Sequence, residues 1–341
     1  MRQPAMQALL SLLGHIWTHY AKSDIRVKSY LQARTRMLVL CTSLCVMAPV
    51  MAQNFNGFVI AEPLVPIENI LHGGPPRDGI PALNRPDFVS ADDAGFMRKN
   101  NRVIGVEVGG VARAYPIKIL NYHEIVNDVV NGKVLVISYC PLCGSGMVFD
   151  ANAGGRELNF GVSGLLYNSD VLLFDRQTES LWSQIRGQAV SGPLKGTNLR
   201  MIAASHTTWR DWKNEHPETT VLSINTGHKR SYELDPYQGY ERTNKLYSPV
   251  SHDNSQYMRK TLTLGLEING NYKAYPFKEL RKGPAEFKEE FEGTEITIQY
   301  DHKNKTARVL DHDGEEIPTV ITYWFAWYTF HPETEIHTAK K

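Results

Sequence analysis

The stretch Gly105-Val106-Glu107-Val108-Gly109-Gly110-Val111-Ala112-Arg113-Ala114-Tyr115-Pro116-Ile117-Lys118 alternates apolar and polar residues, breaks at two glycines and alternates again. Period-two alternation on either side of Gly-Gly predicts a β-hairpin, because that turn needs positive φ at both central residues. The pattern returns as Gly265-Leu266-Glu267-Ile268, then Asn269-Gly270, then Ala274-Tyr275-Pro276-Phe277-Lys278. Further matches flank it in the same order. Val89 to Lys99 recurs as Val250 to Lys260, Val148-Phe149-Asp150 as Val309-Leu310-Asp311, and Trp209, Trp212 and His216-Pro217-Glu218-Thr219 as Trp324, Trp327 and His331-Pro332-Glu333-Thr334. Several ordered matches point to two copies of one module.

Each copy reads as α+β. The hairpin is followed by a segment with apolar residues at Ile117, Leu120, Ile125 and Val129, approximately a helical face. Val134 to Tyr139 and Gly146 to Asp150 then read as strands, and Trp209 and Trp212 as a short helix ended by Pro217. The expected fold is thus a tandem duplicated module of β-hairpin, helix and antiparallel strands, with a degenerate second copy. Its divisions are a signal segment (1–52), an N-terminal loop segment (53–88), copy one (89–225), a linker (226–249) and copy two (250–338). A fold needs its core in both copies, whereas chemistry can survive in one. Residues found only in copy one are therefore the functional candidates: roughly 46 extra residues between Gly161 and Ser205, His123, and the pair Cys140 and Cys143.

Cys140-Pro141-Leu142-Cys143-Gly144 lies between two expected strands, so no helix N-terminus is at hand to acidify a thioredoxin-type cysteine. A Cys-x-x-Cys turn between strands aims both sulfurs at one point, the pattern of a metal knuckle, and thiolates select soft ions. Copper or zinc is the expected cofactor, on Cys140, Cys143 and His123. The remaining ligands must be His, Asp, water or substrate, because no second Cys pair follows. A disulfide or a metal-free redox pair is the alternative in an oxidising compartment, although a ring this small constrains few unfolded conformations.

His123 is followed by Glu124, and an imidazole beside a carboxylate can act as ligand or proton carrier. The insert brings Asp170, Asp175 and Arg176 around the apolar run Val171 to Phe174, which reads as a strand edging a polar pocket. His123, Asp170, Asp175 and Arg176 are the catalytic candidates. Arg77 and Asp78, in the stiff loop His72 to Pro81, are within reach of such a pocket. Ser163 lacks G-x-S-x-G spacing, so a nucleophile elbow is not supported.

Arg34 and Arg36 precede an apolar stretch, Met37 to Val50, that ends in Ala48-Pro49-Val50-Met51-Ala52. A basic flank, a short apolar run and small residues before the cut mark a secretory signal, with cleavage after Ala52. The run is shorter than the roughly 17–25 residues a membrane span needs. The chain is therefore expected to be periplasmic or extracellular, with no stable membrane insertion after cleavage. The whole sequence has 37 Lys+Arg and 36 Asp+Glu. Removing the signal subtracts six basic residues and one acidic residue, leaving 31 and 35, a net charge of −4. That balance argues against a nucleic-acid partner and for a metal-ion or small-molecule ligand.

Asp78-Gly79-Ile80-Pro81, Ala114-Tyr115-Pro116, His123-Glu124-Ile125-Val126-Asn127-Asp128, Tyr139-Cys140-Pro141-Leu142-Cys143-Gly144-Ser145-Gly146, Phe160-Gly161-Val162-Ser163-Gly164, Tyr167-Asn168-Ser169-Asp170 and Ser180-Leu181-Trp182-Ser183-Gln184 together resemble the bacterial and archaeal domain-of-unknown-function family 3179. The resemblance spans most of the chain after residue 52. It implies export and carries no assigned reaction. The residues themselves leave three readings open: an exported metal-binding protein that is also an enzyme or only a carrier, a thiol–disulfide redox protein, and a small-ligand-binding module with a structural disulfide.

Overall fold

In the computed structural model, residues 53–339 are described; the expected signal, residues 1–52, lies outside them. The α+β expectation is overturned. Strands make up 43% of the described residues and helices 11%, and the sheets are arranged as a five-bladed β-propeller. The hairpin Arg102–Val108/Val111–Pro116 forms as its alternation requires, with Gly109 and Gly110 at φ 56° and 82°. It does not stand alone, however. Ser205–Thr208 joins one side, while Thr220–Leu222 joins the other in parallel and carries Phe88–Ser90 beyond it, completing a five-stranded blade. The second hairpin, Leu262–Ile268/Asn271–Pro276, is flanked likewise by Thr319–Tyr323 and Glu335–Ile336.

The segment read as one long helix is split. Ile117–His123 is helical for only seven residues, and Ile125–Val130 is a strand. Such short helices turn the chain between blades and cannot form the separate layer of an α+β fold. Ile125–Val130, Lys133–Cys140 and Ser145–Asp150 form a meander edged by Leu83–Asn84 and Arg200–Ile202. Its counterpart is Glu286–Phe291, Thr294–Asp301 and Thr306–Leu310. The insert makes a blade of its own: Gln188–Ser191, Leu181–Ser183, Asp170–Asp175, Phe160–Tyr167 and Ile70–His72. Asp170–Asp175 is therefore a central strand buried at every position, not the edge of a pocket.

The two hairpin blades are locked by the same device. Gly105 and Gly265 leave room for the faces of Trp212 and Trp327, which an added Cβ would approach to 2.4 and 2.1 Å. Each indole donates to a threonine seven residues on, Trp212 to Thr219 and Trp327 to Thr334. No helix among the described residues is long and apolar enough to cross a membrane.

Candidate metal centre

Strands Lys133–Cys140 and Ser145–Asp150 pair with Cys140 opposite Ser145, so Pro141 to Gly144 must reverse the chain. Gly144 provides the positive φ, 61°, and lies against the ring of Tyr323, where a side chain would be crowded at about 3 Å. The neighbouring blade fixes the knuckle. The Cys143 carbonyl accepts from the Tyr323 amide at 2.8 Å and from Thr322 Oγ1 at 2.9 Å. Both cysteines are free and buried, within the same apolar cluster as Trp182, Trp324 and Trp327.

A third donor comes from the insert blade. Asn168 and Ser169, at φ 54° and 64°, turn the hairpin tightly and deliver Asp170 at the start of the next strand. The Ser169 carbonyl lies 3.3 Å from Cys143 Sγ. Cys140 Sγ, Cys143 Sγ and an Asp170 carboxylate oxygen all lie within 4.8 Å of one another. Asp170 Oδ2 accepts from the Ile185 amide at 3.0 Å, but Oδ1 is buried and has no hydrogen-bond partner. A buried acceptor left open beside two thiols calls for a ligand, since an unmet buried polar group costs roughly 1–3 kcal/mol.

Electrostatics keep these groups protonated when no cation is present. Burial raises both thiols, Cys143 well above the ordinary range with Cys140 beside it. Burial pushes Asp170 up to about 7 against the pull of the Ile185 and Val171 amides and the two thiols. Glu124, which directly follows the helix Ile117–His123, is pushed up to about 8 by burial and by Asp170. Its backbone sits at φ 57°, an uncommon conformation for a non-glycine residue and one that tends to persist at functional sites.

The other candidates sit elsewhere. His123 is fully buried, with Nδ1 2.7 Å from the Pro81 carbonyl and Nε2 2.7 Å from the Tyr232 hydroxyl. A carbonyl can only accept, so Nδ1 carries the proton and the Nε2 lone pair receives the Tyr232 O–H. Burial lowers this imidazole to about 4, and His123 is not in the sulfur–carboxylate group. Asp175 caps a turn through Thr178 and accepts from Trp182 Nε1 at 2.9 Å. Arg176 makes a two-point ion pair with Asp78, and Arg77 pairs with Glu179. Asp170 and Asp175 end one strand and are separated by about 17 Å at 3.3–3.4 Å per residue. Of the four catalytic candidates, only Asp170 joins the cysteines.

Two features escaped the sequence reading. Glu124 was noted only as the neighbour of His123, although its counterpart in the second half is Ala285, whose carbonyl accepts from the Tyr300 amide as that of Glu124 does from Tyr139, a difference of the kind that singled out the cysteines. The segment expected to be a linker, residues 226–249, runs over the site as a strap, and Ser251, just beyond it, joins in holding the hairpin turn. Ser169 Oγ donates to the Ser248 carbonyl at 2.7 Å, and Asn168 Oδ1 accepts from the amide and hydroxyl of Ser251. Lys260 Nζ donates to the carbonyls of Thr243 and Lys245 and sits 3.6 Å over the Tyr240 ring. The strap lines a cavity of about 410 Å³ with Tyr237, Tyr240 and Tyr247. A cavity of about 500 Å³ lies between Ser205–Glu215 and Ala285–Arg308, and none of the three donor residues lines it.

Residues 77–334 match the family described as protein of unknown function DUF3179. No curated protein and no solved structure matches the chain.

Proposed function

The chain belongs to the protein family of unknown function DUF3179, and we propose that it is an exported metal-binding protein whose ion is held by Cys140, Cys143 and Asp170. The observation that carries this reading is the unpartnered Oδ1 of Asp170, buried with two free thiols. An ion at their centre would satisfy the acceptor and replace protons on the sulfurs. Two thiolates and one carboxylate oxygen suit zinc better than Cu(I), which prefers sulfur and thioether donors. His123 does not bind the ion, since both its ring nitrogens are engaged by Pro81 and Tyr232. Three protein ligands leave a tetrahedral ion one open position, the arrangement used by catalytic zinc. The redox reading is the weaker one, because burial holds both sulfurs as thiols and the thiolate is the nucleophile.

Elemental analysis and thiol titration of the full chain, purified without chelator, test the proposal. We expect about one zinc per chain in the wild type. The Cys140→Ser/Cys143→Ser variant should carry none, and Asp170→Asn should hold zinc more weakly. A wild-type chain in which Cys140 and Cys143 titrate as free thiols (four thiols in the full chain, two once residues 1–52 are removed) and which holds no metal after incubation with zinc or Cu(I) ends this reading. Export rests on residues 37–52, and a mature N-terminus at Gln53 recovered from outside the cytoplasm is its test.

A further inference from the structure

The duplication sets an occupied site beside an open one. The helices Ile117–His123 and Phe277–Leu280 follow the two matching hairpins, and Lys118 and Asn121 of the first correspond to Lys278 and Arg281 in the second. An acidic stretch of the chain is docked on the first helix. Lys118 Nζ donates to Glu233 Oε1, and Arg98 lies 3.2 Å from Glu233 Oε2. Asn121 Nδ2 donates to Asp235 Oδ1 at 3.0 Å. The Tyr122 hydroxyl holds the backbone of the same stretch, 3.1 and 2.8 Å from the carbonyls of Ser231 and Leu234.

The second helix has no such cover. Lys278 and Arg281 are exposed and, among the described residues, make neither an ion pair nor a side-chain hydrogen bond. They line a cavity of about 440 Å³ together with Lys260, Lys305, Glu241 and the rings of Tyr300 and Tyr323. Four cations thus stand against one carboxylate, and Glu241 is already beside Arg242 at 3.2 Å. Lys260 is only 9% exposed, and its ammonium donates to neutral oxygens, the carbonyls of Thr243 and Lys245 and the Thr243 hydroxyl. Like charges gathered in one cleft repel one another and attract an anion. Where the first half sets Asn121 against Asp235, the second sets Arg281, the stronger partner for a carboxylate.

We propose that this cavity docks an acidic peptide segment of another protein, whose two carboxylates, spaced as Glu233 and Asp235 are, pair with Lys278 and Arg281. The inference rests on the comparison of the two halves and is independent of the metal reading. The occupied half selects the ligand class. There the occupant is a stretch of peptide that offers carboxylates to the helix and backbone carbonyls to Tyr122. Capture of acidic motifs by clustered cations is an established mode of peptide recognition.

The probe is the chain's own docked stretch, Ser231-Tyr232-Glu233-Leu234-Asp235, made as a peptide with both ends blocked so that its only charges are the two carboxylates. It is titrated at low salt into the isotope-labelled full chain, and binding is read from backbone amide shifts. The proposal expects shifts at Lys278, Arg281 and Lys305 that fade as salt is raised. The Lys278→Ala/Arg281→Ala variant should bind about tenfold more weakly, which two exposed ion pairs together can supply. A peptide carrying Glu233→Gln and Asp235→Asn should lose as much. Thermal unfolding of the variant should match the wild type, because both side chains are exposed. No shift at millimolar peptide overturns the inference, as does equal affinity of the variant or of the neutral peptide. Shifts confined to Lys118 and Asn121 also overturn it, since the peptide would then only be displacing its own copy. Glutarate, a dicarboxylate without a peptide backbone, binding as tightly as the peptide overturns the assignment to a peptide.

Discussion

Replacing Glu124 with glutamine should stabilise the metal-free protein, and by an amount that depends on pH. An unfolded glutamate ionises near pH 4.5, whereas the buried Glu124, next to Asp170, keeps its proton up to about pH 8. Below 4.5 both states are protonated and the side chain contributes no pH dependence. Between 4.5 and 8 the unfolded chain releases a proton that the native chain retains, so stability falls by about 1.4 kcal/mol per pH unit. At pH 7 that amounts to about 3 kcal/mol, a substantial share of the 5–15 kcal/mol typical of a domain. Glutamine has the same shape and the same φ strain but cannot ionise. Urea unfolding of chelator-treated wild type and Glu124→Gln at several pH values isolates the difference. The gain should be near zero at pH 4.5, about 3 kcal/mol at pH 7, and level above pH 8. Because Asp170 is raised in the same way, its titration is coupled to that of Glu124 and the two steps belong to the pair. Bound zinc favours the ionised carboxylates and should shrink the gain. A difference that stays flat across pH, or a glutamine variant less stable at pH 7, refutes the reasoning.

Gly105→Ala and Gly265→Ala would drive a methyl group into Trp212 and Trp327, and each should destabilise by about 1–3 kcal/mol in thermal unfolding. Gly95→Ala, where a Cβ meets nothing within 4 Å, should stay within about 0.5 kcal/mol of the wild type. Burial holds His123 near 4 and His206 and His331 near 3, so an unfolded chain takes up protons below about pH 6.5 that the native chain refuses. Their contribution is intact above pH 6.5 and lost as pH falls toward 3. His331→Phe, which keeps a ring stacked on Tyr272, should flatten that acid slope by about 1.4 kcal/mol per pH unit in urea unfolding. Trp182→Phe removes the hydrogen bond to Asp175 and should cost about 1.5–3 kcal/mol by the same assay.

The local elements were legible wherever period and turn chemistry agreed. Gly109-Gly110 and Asn269-Gly270 mark hairpins because few other residue pairs accept two positive φ values. The blades were not legible. Nothing in Thr220-Val221-Leu222 reveals that it lies parallel to Val111–Pro116, more than a hundred residues away in sequence. The spacing Ile117, Leu120, Ile125 and Val129 satisfies a helical face and, from Ile125 onward, an equally buried strand. The site divides in the same way. The cysteines declared themselves through their absence from the second half, but Asp170 stands 27 residues after Cys143, and only the packing of two blades joins them. His123 carried the right chemistry, yet both its ring nitrogens are committed to Pro81 and Tyr232, a fact that depends on a fold the sequence does not display. Glu124 could have been picked out, like the cysteines, by its absence from the second half, but its positive φ is something no residue pattern encodes.

The carbonyl of Cys143 is gripped by Thr322 and Tyr323, residues of a blade that supplies no sulfur. Lys260, which ties down the strap, also comes from that half. One half therefore owns the chemistry and the other owns the vice that clamps it. Because an ion bound to the sulfurs tightens the turn that Thr322 and Tyr323 hold, loading should slow hydrogen exchange at the Tyr323 amide, far along the chain from any ligand. A truncated chain ending before Leu262 would keep all three donors and lose the clamp. The half without cysteines is thus not expendable: it is the reason the pair can meet an ion in a fixed geometry.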